Sequence, residues 1–385
     1  MNEEKFEDYR QEIRAFSQDV LKPAESLTEK NDEIPPNIVN QMRRIGLFGI
    51  SLPEEFAGLG LTQEQQVLLT FEFTQASCVY RSRFSTTIGL CSQMILDYGT
   101  KHQKDYYLPR MARGEVTAAF GLTERNIGSD AANLETNAVK DGNGYVINGT
   151  KRYITNAPDA ELFIIMAVTN QTAGGLKEIS CFLVEKGTEG LRVGPREKMM
   201  GQRGSHVSEI FIEDCRIGSE NLLGHKEGDG LKRALRGINH ARTHVAATCV
   251  GQSIRFLDEA ITYAQEREQF GQPIANFQAI QTMIGESRAE MAAAKALTLE
   301  VARKFDVGPI PYIDIACAKL YASEALGRIA DRCVQILGGM GYMESHPVAR
   351  LFRDVRVLRI FEGTSQIHQL NIAKHAIRHG ISCDI

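Results

Sequence analysis

The chain opens on a helical rhythm. Phe6, Tyr9, Ile13, Phe16 and Val20 recur at steps of three and four residues, which gathers them on one stripe of a helix. Lys22-Pro23 predicts its end, because proline disfavours helical geometry in the residue before it. Further helical patterns cover 36–44, 62–77 and 85–97, with glycine punctuation in FAGLGL at 56–61. These predict an all-α N-terminal domain over 1–115.

From Val116 the texture changes to short runs of Val, Ile, Thr and Tyr. The runs at 145–147, 162–169, 179–185 and 210–212 are strand candidates, and Asp141-Gly142-Asn143-Gly144 and Asn148-Gly149 are hairpin signals. They predict a barrel-like central β domain over 116–226. After Gly228-Asp229-Gly230, long amphipathic patterns run to Gly271, then through 275–305, 313–338 and 362–379, and predict a four-helix bundle over 227–385. The fold class is α+β, helical then β then helical. Without strand–helix alternation it is not a doubly wound nucleotide-binding sheet.

Composition narrows the function classes. The 44 basic and 48 acidic residues leave a net charge of −4, so nothing calls for nucleic acid as a partner. No apolar run approaches the roughly 20 residues that span a bilayer, so no membrane span is expected. The acidic start MNEEKFED is unlike a targeting peptide and predicts a cytoplasmic chain. Eight cysteines, at 78, 91, 181, 215, 249, 317, 333 and 383, follow no regular spacing and read as reduced structural thiols. His240 and His244 share a helix face as metal ligands often do, but HARTH lacks an intervening Glu and a third ligand, so no metal is expected.

Five motifs carry the chemistry: FGLTERNIGSD at 120–130, NGTKRYITNA at 148–157, EREQFGQPIANFQAIQ at 266–281, QILGGMGY at 335–342 and RIFEGTSQIHQLNIAKH at 359–375. Together, and in this order, they resemble the acyl-CoA dehydrogenase family. The resemblance implies a helical, β, four-helix-bundle architecture, one FAD per subunit and a homo-oligomer, usually a tetramer. It implies oxidation of the Cα–Cβ bond of an acyl-CoA thioester to the trans-2-enoyl product, with electron-transfer flavoprotein as the usual oxidant.

By that resemblance the α-proton base is Glu362 in Phe361-Glu362-Gly363-Thr364, with hydride passing to flavin N5 and the Glu362 backbone N–H helping a ribityl hydroxyl to polarise the thioester oxygen. On residues alone, Glu362 also reads as an acid favoured near a helix N-terminus. The family's other base position, four residues after Gly237, is Ala241 here.

The resemblance assigns the flavin ring to Phe120, Leu122, Thr123, Tyr153 and Thr155, and the pyrophosphate turn to Gly128 and Ser129. Arg267 and Phe270 would reach the FAD of a neighbouring subunit, with Gln335 and Gly339 on its adenosine diphosphate half, and Thr364 and Gln366 complete the pocket. Ser129, Arg242 and Gly363 fall to the substrate. The strand run at 153–155 and the glycines at 338, 339 and 341 have plainer readings as β propensity and helix termination.

Two departures from the family pattern stand out. Arg125-Asn126 replaces the usual Pro-Gly, and Asn239-His240 precedes Arg242 where an acid is common. They leave open an acyl-carrier-protein thioester as substrate, or, for Asn239 and His240, a solvated polar helix face. A catalytically silent flavin-binding protein and a flavin-dependent oxidase are the remaining alternatives. Arg350, Arg353, Arg356 and Arg359, every third residue, suggest either a phosphate-binding stripe or a salt-bridged helix face.

Overall fold

The computed structural model describes residues 1–381, so Cys383 lies outside the described residues. Helix α1 (Glu3–Ala15) is capped by Asn2, whose side chain accepts from the Lys5 N–H. It does not end at Lys22-Pro23. The chain passes through a π-helical turn, Phe16–Leu21, into α2 (Lys22–Asn31). The Lys22 N–H reaches back to Ser17 O, and Pro23 falls in the first turn of α2, where a missing donor costs little. Then come α3 (Pro36–Arg44), α4 (Gln63–Phe73), α5 (Val79–Thr86), α6 (Ser92–Tyr98) and α7 (Lys101–Ala112). A second π turn, Thr87–Cys91, joins α5 to α6, so the expected 85–97 helix is one rod with a widened turn.

Seven strands form one sheet: β1 (Ala118–Gly121), β2 (Asn137–Asp141), β3 (Gly144–Thr155), β4 (Leu162–Gln171), β5 (Lys177–Glu185), β6 (Leu191–Arg196) and β7 (Val207–Gly218). The path is β1-β4-β2-β3-β7-β6, with β5 also paired to β4. β1 runs parallel to β4, with Ala118 opposite Leu162, and β3 runs antiparallel to β7. The unbroken apolar run of β4 follows from burial on both faces. Phe163 and Ile165 join Phe182, Val184, Ile210 and Ile212 inside the sheet, whereas Ile164 and Met166 pack against Met94, Leu108 and Met111 of the N-terminal domain.

The C-terminal region comprises α8 (Gly230–Glu266), α9 (Gln278–Val307), α10 (Tyr312–Leu337), the short α11 (Gly339–Tyr342), α12 (Pro347–Val355) and α13 (Ser365–His379). α8 and α10 run side by side in the same direction. Cys249 feels the charge of Lys319, and Cys333 Sγ reaches Phe256 O at 3.2 Å. Small residues such as Ala246, Ala247, Ala318 and Ala322 let the two rods approach. No described helix is long and apolar enough to cross a membrane.

Buried polar groups lock the regions together. Glu25 on α2 accepts from the Ser77 N–H (2.7 Å) and Arg255 of α8 (3.1 Å), and also pairs with Arg350 of α12. Asp354 of α12 accepts from Ser77 Oγ at 3.1 Å and from the Gln202 N–H of the loop between β6 and β7 at 2.5 Å. Three of the four stripe arginines are therefore ion-paired: Arg350 with Glu25, Arg353 with Glu29 and Arg359 with Glu324. Replacing Glu25 by Ala leaves the buried Arg350 guanidinium without its carboxylate and Arg255 with Glu259 alone, and is expected to destabilise the fold by about 3–5 kcal/mol. A urea midpoint close to that of the parent protein would show that the network carries no such weight.

Candidate active site

The loop after β1 is held in place by one buried carboxylate. Glu124 accepts from the N–H groups of Glu135 (2.6 Å) and Thr136 (2.9 Å), from Thr136 Oγ1 (2.6 Å) and from Lys151 Nζ (2.7 Å). Lys151, with no solvent exposure, also donates to Leu122 O at 3.3 Å. Burial pulls Lys151 down to about 8, and the Glu124 carboxylate opposes the fall. The Arg152 N–H then donates to Thr123 O at 2.8 Å, docking the loop on β3.

At that point β3 is irregular. Its register with β7 shifts between Lys151 and Ile154, and Tyr153 sits at φ 57° and is 60% exposed. A bulge re-aims the side chain it carries, and here it turns an aromatic ring off the sheet, with the Arg152 guanidinium over it at 4.8 Å. Leu122 and Thr123 are thus docked on β3 next to the Tyr153 bulge, Thr155 ends the same strand and Phe120 precedes the loop on β1, while Gly128 and Ser129 lie exposed farther along the loop. Arg125, the first departure from the family pattern, is bound to Glu209 of β7 at 2.9 and 3.1 Å. Its guanidinium is engaged by the sheet.

Glu362 stands on an unusual stretch of backbone. Glu362 and Gly363 both have positive φ, 53° and 94°, a conformation that non-glycine residues adopt only when the surroundings enforce it. Three helices supply that enforcement. Arg242 Nε of α8 donates to Glu362 O at 2.8 Å, His368 Nε2 of α13 donates to the same carbonyl at 3.2 Å, and Lys319 Nζ of α10 donates to Gly363 O at 2.7 Å. A Cβ on Gly363 would meet His368 Nε2 at 3.1 Å and Arg242 Nη2 at 3.2 Å. Thr364 caps α13, its Oγ1 accepting from the Ile367 N–H at 3.3 Å. The capping role therefore belongs to Thr364, and Glu362 lies outside the first turn.

Burial raises the Glu362 carboxyl above its ordinary range, and the charges of Arg242 and Lys319 oppose the rise. Burial also brings Lys319 down to about 8 and His368 to about 4, so the histidine is neutral and its Nε2 carries the proton. Cys91, in the second π turn, is near enough for the Glu362 charge to push its thiol further up. Lys319, His368 and Cys91 escaped the sequence reading. The only signal for Lys319 was a lone cation among the buried positions Ile315, Ala318, Ala322 and Leu326.

His240 does not lie on a solvated face. It is buried, its Nδ1–H donates to Gly89 O at 3.0 Å, and burial takes it down to about 4, so it is neutral. Asn239 Oδ1 accepts from Arg242 at 2.8 Å. Among the described residues no group of three or more His, Cys, Asp or Glu is arranged to hold a metal.

The proposed cofactor residues do not all come together in one chain. Arg267 directly follows α8, Phe270 is 93% exposed in the turn after it, Gln335 lies in the last turn of α10 and Gly339 begins α11. At 1.5 Å per helical residue, Arg267 is about 37 Å along α8 from Arg242. Gln366, by contrast, is exposed on the first turn of α13, next to Thr364. A groove of about 550 Å³ runs between Met200, α10 and α12, and its lining residue Glu324 accepts from Ser365 Oγ at 2.5 Å.

Three family models match in series: the acyl-CoA dehydrogenase N-terminal domain over 3–115, the middle domain over 119–215 and the C-terminal domain over 228–377. The chain belongs to the acyl-CoA dehydrogenase family. It is 39% identical to an acryloyl-CoA reductase (NADH) of Anaerotignum propionicum, covering 95% of this chain and 92% of that one. It is 38% identical to a subunit of the caffeyl-CoA reductase–Etf complex of Acetobacterium woodii, covering 90% of each. The structure of butyryl-CoA dehydrogenase from Megasphaera elsdenii superposes with a TM-score of 0.93 at 31% identity, over 98% of this chain and 99% of that one.

As an acyl-CoA dehydrogenase the protein is an FAD-dependent oxidoreductase. The residues present on the β domain fit a flavin: Tyr153 offers an exposed aromatic face on which a planar ring can pack, and Thr123 and Thr155 carry amide and hydroxyl groups of the kind its polar rim takes. The charges around Glu362 give a signed expectation. Arg242→Gln removes a cation that favours the carboxylate, so the Glu362 pKa rises further and the acid limb of the pH–kcat/KM profile moves to higher pH. A limb that stays put or moves to lower pH would show that Arg242 does not act on the carboxylate.

Proposed function

We propose that this acyl-CoA dehydrogenase removes the α proton of an acyl-CoA thioester with the Glu362 carboxylate, yielding the trans-2-enoyl thioester. The observation that carries the reading is the Glu362 clamp: a half-buried carboxylate with a raised pKa, on left-handed backbone fixed by Arg242, His368 and Lys319. A base so raised has a proton affinity better matched to an activated α carbon than a solvated glutamate, and its position is held before substrate arrives. Bound FAD would supply the two-electron sink for the β hydride.

In this reading Phe120, Leu122, Thr123, Tyr153 and Thr155 hold the flavin ring, Gly128 and Ser129 the pyrophosphate, and Thr364 and Gln366 the side next to the base. Ser129 and Gly363 meet the substrate. Arg242 lies at the substrate end too, and its guanidinium acts chiefly by holding the Glu362 carbonyl. The separation of about 37 Å between Arg242 and Arg267 favours a homo-oligomer, a tetramer by family habit, in which Arg267, Phe270, Gln335 and Gly339 serve the FAD of a neighbouring subunit. Electron-transfer flavoprotein is the proposed electron partner, supported by the Etf-complex relative.

A second reading concerns direction. Both relatives described above are named as reductases. The same base read in reverse is an acid that returns the α proton, so enoyl-CoA reduction needs no different constellation. The direction depends on the electron carrier.

The test is an anaerobic titration of FAD-loaded protein with acyl-CoAs, and of the reduced protein with enoyl-CoAs, following oxidised-flavin absorbance. Glu362→Gln is expected to retain FAD and lose 10²-fold or more of the bleaching rate. Unchanged turnover in that variant would remove Glu362 as the base.

A further inference from the structure

His206, the last residue of the loop between β6 and β7, is buried with both ring nitrogens against acceptors. Nδ1 lies 2.9 Å from Asp159 Oδ2, and Nε2 lies 2.9 Å from the Asp32 carbonyl. A backbone carbonyl and an ionised carboxylate can only accept, so both nitrogens carry protons and the ring is an imidazolium. Asp159 is ionised: burial would raise it, and the bond from His206 holds it below its ordinary range. The same bond lifts His206 above its ordinary value of 6.5 against burial, with Asp32 O helping. Burial displaces His240, His244, His346 and His368 the other way.

The other charges around the ring do not replace Asp159. Asp32 spends its carboxylate on the Gly204 N–H at 2.8 Å, and Arg196 at the end of β6 opposes the imidazolium charge. A hollow of about 200 Å³ lies beside the ring, with Glu33 after α2, Arg43 of α3 and Arg83 of α5 on its walls. The two arginines are turned to Gly114 O at 3.0 Å and Thr117 Oγ1 at 2.9 Å. The hollow gives the ring proton a way out.

What His206 holds is the end of β3. Thr155, the last residue of that strand, pairs with Val207, the residue after His206. Asn156 follows at φ 62°, its N–H donating to His206 O at 2.8 Å and its side chain to Ser82 O at 3.0 Å. The turn Ala157–Asp159 then brings Asp159 back to the ring. Backbone and ring of one residue thus grip the end of β3, and Nε2 ties it to the C-cap of α2. A neutral imidazole has one N–H for these two acceptors, so it loses one bond and sets a lone pair against the acceptor it leaves.

We propose that His206 is a positioning residue for the cofactor: as an imidazolium it fixes the end of β3 against α2, and loss of its proton loosens the hold on FAD. This rests on the reading of Tyr153 and Thr155 as flavin-ring residues. The sign follows from linkage. A histidine raised in the folded protein contributes fully below its ordinary value of 6.5, and the contribution fades as pH climbs through the higher folded value. FAD binding needs the end of β3 ordered, so it inherits that dependence.

The experiment follows FAD release from the holoenzyme on dilution, read by the recovered flavin fluorescence, in the parent, His206→Gln and Asp159→Asn. The dissociation constant of the parent is expected to rise ~5-fold or more between about pH 6 and about pH 9. His206→Gln, which cannot titrate, loses the tighter binding on the acid side. Lys151, at about 8, titrates in the same range in both proteins, so the difference between them belongs to His206. Asp159→Asn removes the carboxylate that raises the ring, and moves the step to lower pH. That shift carries the test should His206→Gln fail to fold. An affinity in the parent that does not change with pH, the same pH dependence in parent and His206→Gln, or a step in Asp159→Asn that stays or moves up overturns the assignment of His206 and leaves the flavin site intact. Tyr153→Ala and Thr155→Ala proteins that hold FAD as tightly as the parent at every pH overturn the flavin reading of β3 and the assignment with it.

Discussion

The site depends on two backbone carbonyls. Glu362 O and Gly363 O gather donors from α8, α10 and α13, and those bonds hold consecutive residues at φ 53° and 94°. Left-handed geometry at a non-glycine residue is unfavourable by about 1–3 kcal/mol. Charge-assisted hydrogen bonds from Arg242 and Lys319 offset it. Each donor comes from a different helix, so the carboxylate is positioned only when the bundle is assembled. The bundle in turn is tied to the N-terminal region through Glu25 and to the β domain through Asp354.

The electrostatics follow the same logic. Arg242, Lys319 and His368 are all brought below their ordinary pKa values by burial. The arginine and lysine stay charged near neutrality and temper the rise that burial imposes on Glu362, whereas His368 is neutral and contributes only a hydrogen bond. At Asp354 burial dominates and the carboxyl rises to about 6. Its ionisation above that value is less favourable folded than unfolded, so this group alone contributes stability that is complete below the ordinary carboxyl range and fades as pH climbs through 6.

Much of this was legible in residue order. The order helical, β, helical followed from periodicity, and the strands β4 and β5 from their runs at 162–169 and 179–185. Glu362 and Thr123 stood out through motif resemblance. What escaped is what depends on neighbours distant in sequence. Lys22-Pro23 looked like a stop because a π turn, which supplies a register where proline fits, leaves no mark in hydrophobic spacing. His240 could be read as a solvated polar residue as readily as the mark of an unusual substrate, because its partner is a carbonyl 151 positions away. Arg81 lies two residues before Arg83 with nothing in the sequence to mark it, and only packing reveals that it is enclosed.

The widened turn at Thr87–Cys91 also joins the two halves of one rod. Upstream, Arg81 faces the histidines of α8; downstream, Met94 and Ile95 face the β sheet. The wider turn absorbs one extra residue, so losing one residue there would let the rod close into plain α geometry with the phase of its two halves nearly unchanged. What a shortened relative would give up is the set of outward carbonyls in the wide turn, Ile88 O and Gly89 O, which here accept from Ser51 and His240.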